Sequence, residues 1–120
     1  MAAGEGFLTT HILDTAKGCP AEGVRINVYR LYGAERKFIK TVISNEDGRT
    51  DEPIIAKGRL EAGTYELVFE IGDYFSGAIN SEKVPFLDIV PIRFGVSDAN
   101  AHYHVPLLTS PNSYSTYRGS

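Results

Sequence analysis

Two histidines stand two residues apart in His102-Tyr103-His104-Val105-Pro106, a spacing that puts both imidazoles on one face of an extended strand. Such a pair suits three kinds of work. It can bring two nitrogens to a metal, although zinc needs a third protein ligand and the chain has no second His or Cys cluster at ligand spacing. It can serve as general acid or base, because an imidazole titrates near neutral pH. It can also be an ordinary pair on a strand edge. His11, in Thr9-Thr10-His11-Ile12-Leu13-Asp14, lies on another alternating stretch with Thr9 and Leu13 on its face. Alone it reads as structural, and the three histidines become a site only if their strands meet.

Arg49 follows Asn45-Glu46-Asp47-Gly48. Asp-Gly predicts a type I′ hairpin turn, in which both central residues need positive φ, and leaves Arg49 at the exit. A guanidinium there could grip a planar, oxygen-rich anion through two parallel hydrogen bonds. The plainer reading is a solvated residue just after a turn. Cys19 sits in the turn-like Lys17-Gly18-Cys19-Pro20 with no neighbouring base, so it is read as incidental. The chain has no glycine-rich phosphate loop and no Gly-x-Ser-x-Gly elbow, which removes nucleotide-binding and serine-hydrolase readings.

Holding such groups in place takes a core, and 120 residues read as one domain, 1–120, that buries roughly two thirds of its unfolded surface. A single cysteine closes no internal disulfide, which fits a reducing compartment. With 12 Lys and Arg against 15 Asp and Glu, the net charge of −3 argues against a nucleic-acid partner. No apolar run approaches the ~20 residues of a membrane helix, and the opening MAAGEGFLTTHI lacks the basic and apolar regions of a secretory leader. The expectation is a cytoplasmic protein. The final Arg-Gly-Ser is not a Ser-Lys-Leu type peroxisomal address, and other import routes stay open.

Alternation of period two runs through most of the chain. In TYELVFEI, Tyr65, Leu67, Phe69 and Ile71 share one face and Thr64, Glu66 and Glu70 the other. In IVPIRFGV the apolar face is Val90, Ile92, Phe94 and Val96. FLTTHIL, VRINVYRL, KFIKTVI and HYHVPLL behave likewise, with turn chemistry between them in KGCPAEG, NEDGR, EAGT, SDAN and SPNS. Seven or so strands predict an all-β, sandwich-like domain. One short helix is predicted from Asp73, as its cap, to about Ile79.

Two long segments carry a resemblance. HILDTAKGCPAEGVRI, from His11 to Ile26, and YHVPLLTSPNSYSTYRGS, from Tyr103 to Ser120, resemble the signatures at the two ends of the transthyretin family. The resemblance implies a sandwich of two four-stranded sheets with one short helix. It implies a homotetramer around a central channel, with sites at the dimer–dimer interface. The family divides into carriers of thyroid hormone, which lack a terminal Tyr-Arg-Gly-Ser, and enzymes that end on it and hydrolyse 5-hydroxyisourate, an unstable product of urate oxidation. Tyr117, Arg118, Gly119 and Ser120 match the enzymes, as do His11, Arg49 and His104. By resemblance, His11 and His104 activate water, Arg49 binds and polarises the substrate, and Tyr117 with Arg118, Gly119, Ser120, Ser115 and Leu108 shapes the pocket. Neither a metal nor an organic cofactor is expected. Asn112 departs from the usual residue after Ser-Pro, and His102 is left outside the site. The alternative is a carrier without catalysis. An immunoglobulin-like accessory module, to which strand count alone would lead, leaves the histidines and the terminal tetrapeptide unexplained.

Overall fold

The alternating stretches become strands in a computed structural model, which describes residues 4–76 and 83–119. In chain order these are β1 (Phe7–Asp14), β2 (Cys19–Pro20), β3 (Arg25–Tyr32), β4 (Glu35–Ile43), β5 (Gly63–Glu70), helix α1 (Ile71–Phe75), β6 (Ile89–Val96), β7 (His102–Thr109) and β8 (Tyr114–Thr116). They form two four-stranded sheets, β2-β1-β7-β8 and β4-β3-β5-β6. β1 and β7 pair in parallel, while the other pairings are antiparallel. The expected two-sheet sandwich with one short helix is therefore the observed architecture.

The sheets face each other across a core built mainly by β1, β3, β5, β6 and β7, with only the half-buried Val42 of β4 packed against it. Leu8 and Ile12 of β1 and Leu107 of β7 meet Ile26 and Val28 of β3 and Leu67 and Phe69 of β5, all without solvent exposure. Burying each such side chain contributes about 1.5–3 kcal/mol. Because successive side chains alternate, sending Leu8 and Ile12 inward sends Phe7, Thr9, His11 and Leu13 outward. In β7, burial of Tyr103, Val105 and Leu107 turns His102, His104, Pro106 and Leu108 to that same outer side. Core packing thus decides which way the imidazoles point.

Polar contacts fix the strand ends. The Tyr103 hydroxyl oxygen accepts from the backbone N–H of Ser97 at 3.0 Å and of Asp98 at 3.1 Å, pinning the start of β7. At the end of β1, buried Asp14 accepts from the N–H groups of Ala16 and Lys17, both at 3.0 Å, and from the Tyr74 hydroxyl at 2.8 Å. Burial first, and then the bond to the Asp14 carboxylate, raise the Tyr74 pKa well above the usual phenol value.

Several expectations need correction. KGCPAEG is more than a turn: its Cys19–Pro20 forms β2 and pairs with Leu13 and Asp14. The helix begins at Ile71, two residues before the expected Asp73, so Ile71 leaves the strand and enters the core from α1. Asp73 lies in the first turn, and the N-cap residue Glu70 makes no side-chain cap bond. Residues 77–79 of the expected helix lie outside the described residues. Glu66 points to the outer face as its alternation requires, yet only 4% of it is exposed. Arg36 donates to it at 2.8 Å, and Arg93 donates through Nε at 3.2 Å and Nη2 at 3.1 Å. Burial pushes the Glu66 carboxyl up, and the two guanidinium groups overcome it, leaving the pKa below its ordinary value.

Candidate active site

The parallel register of β1 and β7 sets Phe7 beside His102, Thr9 beside His104 and His11 beside Pro106. Side chains opposite one another in a ladder share a face, so the histidines of both strands stand on one outer surface. Thr9 Oγ1 lies 2.8 Å from His104 Nδ1 and 2.6 Å from His102 Nε2. The Phe7 ring stacks on His102 at 4.1 Å with an angle of 9° between planes. His102 is exposed and His104 half-buried.

Arg49 reaches this surface from a loop docked on the side of β1 away from β7, beyond the short pairing with β2. The Ile12 N–H donates to Gly48 O at 2.7 Å. Asn45 organises the loop: its Oδ1 accepts from the N–H groups of Asp47 at 2.9 Å and Arg49 at 3.2 Å, and its own N–H donates to Arg49 O at 2.7 Å. The type I′ hairpin expected at Asp47-Gly48 does not form. Among the described residues only glycines take positive φ, so Asp47 does not, and β5 begins only at Gly63. Gly48 has φ +75°, and a Cβ on it would run into Ile12 O. Two independent constraints therefore demand glycine next to Arg49. Gly48→Ala is expected to cost about 1–3 kcal/mol and to loosen Arg49, read as a lower thermal midpoint together with a raised KM.

A cavity of about 330 Å³ opens at this place, lined by Thr9, Thr10, Arg49, Asp51, Glu52, His102 and His104 among others. His11 stands two residues along β1 from Thr9, close enough for the Arg49 charge to act on its ring. Burial and then Arg49 lower the His11 pKa, while the backbone and carboxylate of Asp47 pull the other way. Burial lowers the His104 pKa too, followed by the charges of Arg49, His102 and His11. Both imidazoles are therefore neutral near pH 7, beside a permanent cation. The three residues singled out in the sequence share one electrostatic environment.

The end of the chain is tied to the same strand. In the β7–β8 ladder Leu108 pairs with Ser115, so both belong to the face that carries His104. Beyond β8, the Gly119 N–H donates to His104 O at 2.8 Å. A Cβ at Gly119 would collide with Cδ2 of the His104 ring. Tyr117 is 60% exposed in the single chain. Arg118 turns away, its guanidinium 4.3 Å above the ring of Tyr103, whose side chain faces the core. It is not brought to the histidines. Ser120 lies outside the described residues.

A profile of the HIUase/transthyretin family matches residues 8–119. The chain belongs to the HIUase/transthyretin family. A relative in that family, 5-hydroxyisourate hydrolase of Deinococcus radiodurans, is 52% identical over 118 residues, spanning 98% of this chain and 99% of the relative. The solved 5-hydroxyisourate hydrolase of Klebsiella pneumoniae is 35% identical, with a TM-score of 0.77 over 95% of this chain and 99% of that one. Transthyretin from Sparus aurata superimposes with a TM-score of 0.82 at 27% identity, over 93% of this chain and 95% of that one. Backbone likeness within the HIUase/transthyretin family therefore does not separate the 5-hydroxyisourate hydrolases from the transthyretins; the side chains on the histidine face must.

Those side chains can do acid–base work on a bound anion or polarised carbonyl: two neutral bases, one fixed cation and a wall of hydroxyls. Among the described residues no trio of His, Cys, Asp and Glu is arranged to hold a metal ion. Sequence reasoning missed Thr9 as a partner of the imidazoles and set His102 aside. Period-two alternation places Thr9 on His11's face, but only the parallel register shows that two more histidines lie beside it.

Proposed function

We propose that this chain hydrolyses 5-hydroxyisourate, opening its ring by attack of water on a carbonyl to give 2-oxo-4-hydroxy-4-carboxy-5-ureidoimidazoline, a step in urate degradation. The observation that carries the reading is the meeting of Arg49 and His104 at one cavity, with His11 near enough for the same guanidinium to lower its pKa as it lowers that of His104. Attack by water needs a base for its proton and a cation or donor where oxyanion charge grows. His104 Nδ1 lies 2.8 Å from Thr9 Oγ1, and in this reading the other nitrogen, Nε2, takes the water proton. Arg49 orients the planar substrate and polarises its carbonyl, and His11 supports the same proton transfer from β1. Tyr117, Ser115 and Leu108 shape the pocket wall.

The reading includes a homotetramer with sites at the dimer–dimer interface. Support comes from the resemblance and from the free edges of both sheets, β8 and β6, with exposed Tyr114, Tyr117 and Ile89 at or beside them. A hormone carrier has less behind it, since Arg49, Asp51, Glu52 and two imidazoles are poor surroundings for a large apolar ligand.

The direct test follows the ultraviolet absorbance of freshly generated 5-hydroxyisourate with purified protein. Its pH dependence has a definite sign. The working form of each histidine is the neutral one, and each pKa lies below its ordinary 6.5. kcat/KM is therefore expected to hold level through pH 7 and to fall as pH drops through a value under 6.5. No acceleration over the spontaneous reaction at pH 7 would overturn the function, and an acid limb centred above 6.5 would overturn the neutral-base assignment.

A further inference from the structure

Thr9 has one hydroxyl proton and two imidazole nitrogens within hydrogen-bond distance, 2.8 Å to His104 Nδ1 and 2.6 Å to His102 Nε2. One proton serves only one acceptor, so both nitrogens cannot be bare. If His104 is a base at Nε2, its neutral form carries its proton on Nδ1. That N–H then donates to Thr9, and Thr9 donates to His102. The order of the hydrogen bonds follows from the role of His104.

We propose that Thr9 and His102 form a proton relay behind His104, an inference that rests on the hydrolase reading above. As the water oxygen bonds to the ring carbonyl carbon, a water proton passes to His104 Nε2. The Nδ1 proton moves to Thr9 Oγ1, and the Thr9 hydroxyl proton moves to His102 Nε2. His104 is then neutral with its proton on Nε2, and the positive charge has moved to His102. When the carbonyl carbon–nitrogen bond breaks, Nε2–H protonates the departing ring nitrogen. His102 returns its proton through Thr9 to Nδ1, and the cycle closes with no net change in the protein.

The surroundings favour this traffic. The charge of Arg49 bears on His104, so an imidazolium there is disfavoured and shifting the charge outward relieves it. His102 is exposed at the cavity rim, where Asp51 and Glu52 also stand. Stacking on Phe7 fixes the His102 ring so that Nε2 stays aimed at Thr9. His11 lies farther along β1 with the Asp47 backbone and is outside the chain of hydrogen bonds that runs from His104 through Thr9 to His102.

Steady-state rates in H₂O–D₂O mixtures, measured on the full chain, test the relay. Thr9→Val, which keeps shape and loses the hydroxyl, is expected to lower kcat about tenfold with KM nearly unchanged, as loss of part of an acid–base contribution. Thr9→Ser should recover most of that loss. His102→Phe, which preserves the stack on Phe7, should lower kcat by a similar factor. The wild-type rate should curve with deuterium fraction, because several protons move, and become linear in Thr9→Val and His102→Phe. Wild-type kcat and curvature in His102→Phe, or a Thr9→Ser loss equal to that of Thr9→Val, would overturn the relay. Long-range ¹H–¹⁵N spectra of the wild-type histidines at pH 8 give a readout without turnover. His104 is expected as the Nδ1–H tautomer with His102 Nε2 bare, and the reverse pattern would overturn the relay even where a variant fails to fold. An inactive wild type would instead sink the hydrolase reading, while the spectra would still report the hydrogen-bond order.

Discussion

His104→Ala is expected to lower kcat for 5-hydroxyisourate by about 10²–10⁴-fold, the usual contribution of a positioned acid–base group. The side chain removed is half-buried on the outer face of its sheet, so the core formed by Val105, Leu107 and Tyr103 is untouched and the thermal midpoint should hardly move. Arg49→Ala should differ in kind. It removes a group that holds the substrate in the ground state and also polarises its carbonyl in the transition state, so KM rises along with the fall in kcat. It also removes the charge that is the second cause, after burial, of the lowered pKa at both His11 and His104. The acid limb of its pH profile is therefore expected to move upward, toward 6.5. Lysine restores the charge but not the planar fork, so Arg49→Lys should recover the acid limb more fully than KM. Folded His104→Ala and Arg49→Ala proteins with wild-type kcat/KM would remove both residues from the chemistry.

How much of this was legible beforehand depended on the range of the interaction. The outward direction of His104 follows from local alternation, because Tyr103, Val105 and Leu107 must be buried and the residues between them cannot be. The sandwich and most of its strands are legible for the same reason. Thr9 and His102 were not, because their contact joins residues 93 positions apart and exists only in one register of β1 on β7. A shift of one residue would have turned Thr9 away from both imidazoles. Nothing in either segment alone specifies that register.

The loop before Arg49 failed in a different way. Asp-Gly is a sound local signal, but the geometry there is settled by tertiary contacts: the Ile12 N–H on Gly48 O and the Asn45 side chain on two backbone N–H groups. Those bonds hold the chain against β1 and leave no strand to complete a hairpin. Glu66 shows the complementary limit. Alternation gave its face correctly, yet burial on that face depends on Arg36 reaching across β3 from β4 and on Arg93 arriving from the adjacent β6. The terminal residues could be recognised as a motif, whereas their division of labour could not. Arg118 and Gly119 are adjacent, but one lies over Tyr103 and the other against His104.

That division makes Gly119 the more sensitive position. Its N–H is bonded to His104 O, so its backbone cannot retreat without losing a hydrogen bond at the site. Any Cβ there meets Cδ2 of the His104 ring, the atom bonded to Nε2. The ring cannot swing freely either, since Nδ1 is held by Thr9 at 2.8 Å. Gly119→Val must therefore tilt the imidazole or expel the tail, and either outcome moves Nε2 away from the water it is to deprotonate. A misplacement of about 1 Å costs on the order of 10²-fold in rate, so kcat for Gly119→Val is expected to fall by about that factor. Stability should fall little, because the tail is mostly exposed and outside the core. The expected signature is a large kinetic loss with a nearly unchanged melting curve, accompanied by shifted His104 ring resonances in the ¹H–¹⁵N spectrum. Wild-type kcat in a folded Gly119→Val protein would show that the tail does not position the base, and the specific ending Tyr-Arg-Gly-Ser would then need another explanation.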